Sequence, residues 1–126
     1  MFSHVMFGSN DLEKSKVLYD ALFTAIGGKP ARVDEKGRLF YFHKGSMFIV
    51  TTPIDGQPAT YANGGTIGFA AESPEVVEAW HAAGVAAGGT PIEDPPGWRE
   101  APGVRLYLAY LRDPDGNKIC AMHRGA

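Results

Sequence analysis

The 126 residues make about one ordinary domain, and a composition of 44% apolar and 21% charged residues is that of a globular chain rather than a disordered one. The 12 basic and 14 acidic residues are mixed, for a net charge of −2. This leaves no basic stripe to suit nucleic acid and no apolar run to span a membrane. A single cysteine, Cys120, excludes an intramolecular disulfide. With no signal-peptide pattern at residues 1–4, a cytoplasmic location is the simplest expectation.

In chain order, residues 2–7 are short, apolar and bounded by Gly8-Ser9-Asn10, which predicts a strand. Asn10, with Glu13 three residues on, has helix-start chemistry, and Leu12, Tyr19, Leu22, Phe23 and Ile26 recur at helical spacing. Gly27-Gly28 stops that helix. Strands are predicted at residues 29–33, 39–43 and 47–52, and residues 53–65, rich in proline and glycine, form a connection. The pattern then restarts with a strand at 66–71. Ser73 caps a second helix with Pro74 at its first position, and Val76, Val77, Trp80, Ala83 and Ala87 form its apolar face. Gly88-Gly89 ends it, and strands follow at 90–92, 106–112 and 118–122, the last two joined by the turn Asp113-Pro114-Asp115-Gly116-Asn117.

The order is β-α-β-β-β twice. The letters repeat as well: Ala25-Ile26-Gly27-Gly28-Lys29-Pro30 is echoed 61 residues later by Ala86-Ala87-Gly88-Gly89-Thr90-Pro91, and Tyr19 and Trp80 share that spacing. The expected class is α+β, with tandem modules at about residues 1–53 and 65–126 joined by about 54–64. His4-Val5-Met6-Phe7, Asp11-Leu12-Glu13-Lys14-Ser15, and Tyr110-Leu111-Arg112 running into the Asp-Pro-Asp-Gly-Asn turn together resemble the vicinal oxygen chelate superfamily, the group of glyoxalases, bleomycin resistance proteins and extradiol dioxygenases. The resemblance covers almost the whole chain. It implies cupped mixed sheets around a cavity, helices outside, and a homodimer in which modules pair across subunits.

The resemblance also implies where a metal would sit. Metal-dependent members place a ligand on the first and fourth strand of each module, and the matching positions are His4, Val50, Thr66 and Cys120. Strand alternation, with Ile49 and Ile119 toward the helices, would turn Val50 and Cys120 into the cup. Imidazole and carboxylate suit a divalent ion with open positions, and only His4 is of that kind. Val50 has no donor, Thr66 offers a neutral hydroxyl, and Cys120 offers a thiol. His43 or His123 is available to assist.

His4 is either a cavity histidine bonded to backbone or a group that acts on ligand. Cys120 is either an apolar filler or a reactive thiol, which a neighbouring imidazole would activate. His81 is expected to face solvent and His123 to have no special role. Residues 94–103 read as a long loop, which the resemblance implies borders the cavity mouth. There Trp98 either covers an apolar ligand or packs on the body, and Arg99 is suited to an anionic group. Phe48, Tyr61 and Tyr110 complete the candidate cavity set.

The expected function is binding of a small organic molecule without metal or other cofactor. The alternative is a lyase, isomerase or dioxygenase of the same superfamily, either metal-dependent through His4 or metal-free with His4 as base.

Overall fold

The computed structural model describes all of residues 1–126. The first repeat comprises β1 (Val5–Gly8), α1 (Leu12–Ala25), β2 (Arg32–Val33), β3 (Leu39–His43) and β4 (Ser46–Thr51). The second comprises β5 (Ile67–Ala70), α2 (Pro74–Ala86), β6 (Thr90–Ala101), β7 (Val104–Arg112) and β8 (Lys118–Arg124). Each forms a four-stranded mixed sheet, ordered β1-β4-β3-β2 and β5-β8-β7-β6, with one parallel pair in each, β1 with β4 and β5 with β8. The expected α+β repeat is therefore present in both halves.

The helices begin and end for local reasons. Asp11 rather than Asn10 caps α1, its carboxylate accepting from the Lys14 N–H at 3.1 Å. Asn10 instead exchanges a reciprocal pair of bonds with the backbone of Ala59, at 2.7 and 3.1 Å, and so ties the 53–65 connection to the first repeat. Ser73 caps α2 and Pro74 follows it, as expected. Gly27 and Gly88 both adopt positive φ (90° and 106°), the conformation that releases the chain from each helix.

Two strands differ from expectation. β2 keeps only two residues because the Ala31 N–H bonds the Asp20 carboxylate at 2.9 Å instead of a strand partner. Conversely, β6 runs on to Ala101. Its pairing with β7 slips between Ile92 and Gly97, so residues 94–101, expected in a loop, belong to a bulged edge strand. Pro95 and Pro96 sit in that irregular stretch, where no ladder N–H is required.

One core serves both repeats. Leu18, Tyr19, Leu22 and Phe23 from α1 and Val77 and Trp80 from α2 join inward residues of both sheets in a single buried cluster. α1 packs on α2, and the backbones of the two sheets do not approach one another. Side chains bridge between them, as where the Phe48 and Phe69 rings meet edge-on at 5.5 Å. Tyr19 and Trp80, the repeat-related aromatics, are both fully buried.

The Asp113–Asn117 turn does more than reverse the chain. Asp113 is buried and accepts the Tyr19 hydroxyl at 2.7 Å, the Asn117 amide at 2.9 Å and the backbone N–H groups of Asp115 and Asn117. Asp115 accepts the Asn10 N–H at 2.8 Å. The second repeat's turn is thus clamped onto the first repeat's helix and its entry.

Candidate functional site

The inner faces of both sheets are used up by the shared core, so the outer faces are where chemistry can be offered. Strand alternation assigns them. On the first sheet, Phe48 packs on Tyr19 and Phe23 of α1 with ring centroids at 4.9 and 5.8 Å, and Val50 points the same way. Met6, Phe40, Phe42, Met47 and Ile49 therefore face outward, as does His4 by continuation of the strand. On the second sheet Ile119 and Ala121 are inward, leaving Gly68, Leu108, Tyr110, Cys120 and Met122 outward. Ile49 (4% exposed), Cys120 (7%) and Leu108 (8%) are the buried apolar residues that take no part in the shared core. They mark the floors of the two outer faces. Met6 (46%) and Phe42 (54%) stand open beside the first floor.

These assignments correct part of the expected site. Val50 and Phe48 belong to the core and not to a cup, and Ile49 is outward rather than helix-facing. The position related to Cys120 is Ile49: Met6 pairs with Ile49 as Gly68 pairs with Cys120. The misplacement is one residue, and in a strand one residue changes the face. Trp98 is opposite Tyr107 on the inward side, edge-on to that ring at 5.2 Å, with the Arg105 guanidinium 4.2 Å from its centroid. Of its two open readings, packing on the body is the one this geometry matches. Arg99 falls on the outer side, opposite Leu106, and its guanidinium donates to the carbonyls of Gly97, Asp94 and Pro95, clasping the bulge.

The remaining candidates lie as follows. His4 is exposed and shares a 2.8 Å hydrogen bond with Ser3. Thr66 precedes β5 and is exposed. Cys120 lies beside Tyr110 in register. Burial pushes its thiol up to about 11, with Lys118 opposing and Glu93 reinforcing, so the thiolate is disfavoured. Tyr110 is likewise raised by burial and then by Cys120 and Glu93, while the Lys118 ammonium lies 4.9 Å from its ring centroid and pairs with Glu93. Within one chain His4 and Cys120 sit on different sheets, and no three His, Cys, Asp or Glu side chains converge as a metal cluster.

Tyr61 lies against Gly116 and under the Arg112 guanidinium, 5.0 Å from its centroid, so it seals the connection to the turn. His81 is half-buried, not solvent-facing, and its pKa is lowered by burial against an opposing hydrogen bond to the Tyr110 backbone. His123 Nδ1 bonds the Ala71 carbonyl at 3.1 Å, tying the end of β8 to the end of β5. His43 borders a separate cleft of about 410 Å³ between the two repeats, with Lys44, Ser46 and Glu72 at its mouth.

Sequence reasoning missed Phe40, Phe42, Met47 and Arg38 on the first sheet's outer face. The run Leu39-Phe40-Tyr41-Phe42-His43 is aromatic or apolar on both sides, so it carries no alternation to read.

The profile of the Glyoxalase/Bleomycin resistance protein/Dioxygenase superfamily matches residues 1–121. No curated protein matches the chain. Among solved structures, a glyoxalase/bleomycin resistance protein from Albidiferax ferrireducens T118 is 60% identical, with a TM-score of 0.94 over 98% of this chain and 99% of that one. A glyoxalase/bleomycin resistance protein/dioxygenase family enzyme from Burkholderia phytofirmans PsJN shares the fold at 17% identity, with a TM-score of 0.72 over 96% of each chain. Fosfomycin resistance protein FosX from Mesorhizobium loti does so at 16% identity, with a TM-score of 0.67 over 100% of this chain and 92% of that one. Sequence, repeat and fold agree, and the chain belongs to the glyoxalase/bleomycin resistance protein/dioxygenase superfamily.

Proposed function

We propose that this protein binds a small organic molecule on the outer sheet faces without a metal ion, and that a second copy of the chain closes the cavity. The observation that carries the reading is the donor set. At the two-repeat positions His4, Ile49, Thr66 and Cys120, one imidazole stands beside a hydrocarbon, a neutral hydroxyl and a thiol held up near 11. A divalent ion that must keep open positions needs several imidazole or carboxylate ligands, and one imidazole with one thiol does not supply them. Pairing across two copies changes which chain supplies each residue but not the set.

Two features support the dimer. β1 and β5 are both edge strands with free hydrogen-bonding sides. The outer faces beside them expose Met6, Phe42 and Met122, apolar surface that a partner would cover. A homodimer, with the first sheet of one copy set beside the second sheet of the other, would turn two open faces into one cup. A monomer in sedimentation at all working concentrations would refute it. No helix is long and apolar enough to cross a membrane, and the mixed charge favours a small-molecule partner over nucleic acid. A cytoplasmic setting is in keeping with the lone buried thiol.

The binding reading is tested by denaturing the purified protein and identifying released small molecules by mass spectrometry, with and without prior EDTA dialysis. The expected result is a stoichiometric organic compound whose retention EDTA does not change. Retention abolished by EDTA, or a compound converted to product on incubation, would favour the enzyme of the same superfamily, with His4 as its ligand or base.

A further inference from the structure

The outer face of the first sheet carries an arrangement that the family position alone does not account for. Phe40 and Phe42 lie nearly parallel, 12° apart, with centroids at 6.3 Å. The Arg38 guanidinium carbon stands 5.4 Å from the Phe40 centroid and that of Arg32 stands 5.9 Å from the Phe42 centroid. Two hollows meet here. One, of about 520 Å³, is lined by Arg32, Arg38, Phe40, Phe42 and Met47; the other, of about 780 Å³, by Met6, Lys36, Arg38 and Thr51 under residues 53–60. Arg38 borders both.

The orientation of Arg38 is the informative detail. Its Nε donates to Asp34 Oδ2 at 2.6 Å, and its backbone N–H donates to Oδ1 of the same carboxylate at 2.9 Å. The guanidinium is thus held through Nε alone, and both terminal nitrogens are left without a hydrogen-bond partner in the chain. Those two nitrogens form the end of the fork, the geometry that takes a carboxylate with two parallel bonds. Arg32 has no ion-pair partner, and Lys36 adds a third cation. Asp34, Glu35 and Asp55 border the hollows as counter-charges; Asp34 is taken up by Arg38, and Asp55 is partly engaged by the Gln57 N–H.

We infer that this face binds an amphiphilic organic anion, an aryl or branched alkyl group bearing a carboxylate, with Arg38 as the anion anchor. Phe40, Phe42 and Met47 hold the apolar part. The inference rests on the small-molecule reading above and gives it a ligand class.

The test is calorimetric titration with three probes of one shape: 3-phenylpropionate, its amide, and 3-phenylpropylamine. A carboxylate takes two parallel bonds from the fork as an ion pair, whereas a neutral amide carbonyl takes fewer and pairs no charge, so the acid should bind about tenfold tighter than the amide, and the amine weakest. Arg38→Met keeps the stem over Phe40 and removes the fork. It should weaken the acid far more than the amide and so abolish most of the acid's preference. Arg38→Lys should restore only part of the preference. A melting curve checks that each variant folds; if Arg38→Met does not, the loss of the wild-type acid preference at high salt decides instead. Equal affinity for all three probes, or an acid affinity untouched in Arg38→Met, overturns the anion assignment and leaves small-molecule binding standing. No binding by any of the three at millimolar concentration also overturns the anion assignment, while the small-molecule reading stands or falls on the released-compound experiment above.

Discussion

Tyr19→Phe deletes one hydroxyl and nothing else, at the point where the second repeat's turn is fastened to the first repeat's helix. The hydroxyl donates to Asp113 at 2.7 Å, and both side chains are buried, so water does not take its place. A hydrogen bond to an ionised acceptor contributes about 1.5–3 kcal/mol. We expect a loss of about 2 kcal/mol at pH 7, a fall in Tm of about 5–8 °C for a domain of this size.

The sign of the pH dependence follows from Asp113. Burial raises its pKa above the ordinary carboxylate value, and the hydrogen bonds from Asn117 and Tyr19 only partly oppose that. A raised folded pKa means that the group's contribution to stability is full below the unfolded value, about 3.9, and is lost as pH rises through the folded one. Removing the Tyr19 donor raises the folded pKa further. The variant's deficit is therefore larger at pH 7 than at pH 4. Urea denaturation of both proteins at the two pH values measures it. A variant within about 0.5 kcal/mol of wild type at pH 7, the range of an unremarkable surface change, or a deficit that grows on acidification, would refute the clamp.

Other outcomes follow from the same geometry. Gly84 lies in α2 where a Cβ would stand 2.3 Å from Leu111 Cδ1 and 2.8 Å from Leu22 Cδ2. Gly84→Ala should overpack the core at a cost of about 1–3 kcal/mol, outweighing the helix-propensity gain of about 1 kcal/mol; an unchanged or raised Tm would show that the helix interface yields. Cys120, with its thiol near 11, should react with iodoacetamide at pH 8 far more slowly than a free cysteine, and a rate matching the free amino acid would contradict its burial. Tyr19 and Tyr41 are both raised by burial and then by Asp113 and Asp20 respectively. Their contribution to stability is full below about pH 10 and lost above it, so an alkaline denaturation steeper than tyrosine-free controls is expected, and a flat profile to pH 11 would count against it.

The fold was legible because its signals are local and repeated. The Gly27-Gly28 and Gly88-Gly89 stops, Ser73-Pro74 and the Asp113–Asn117 turn each act through their own backbone, and the element order follows from them. The site was harder to read. Two prolines and a glycine at 95–97 suggest a loop around Trp98 and Arg99, whereas the chain keeps pairing with β7 through a bulge. β4 is apolar at Phe48, Ile49 and Val50 alike, so its sequence does not say which of them faces the cup. Only its packing against α1 distinguishes the faces. Arg38 carries no sequence signal, because a surface arginine four residues from an aspartate is commonplace. Its significance lies in which nitrogen Asp34 holds, a matter of geometry rather than sequence.

The central claim is a cup that works without a metal. Elemental analysis of untagged protein, before and after dialysis against zinc, nickel, manganese and, anaerobically, iron, tests it most directly. The account predicts less than a stoichiometric amount of every metal, with no difference between wild type and His4→Ala. One tightly held ion per chain in the wild type, lost in His4→Ala, would contradict it.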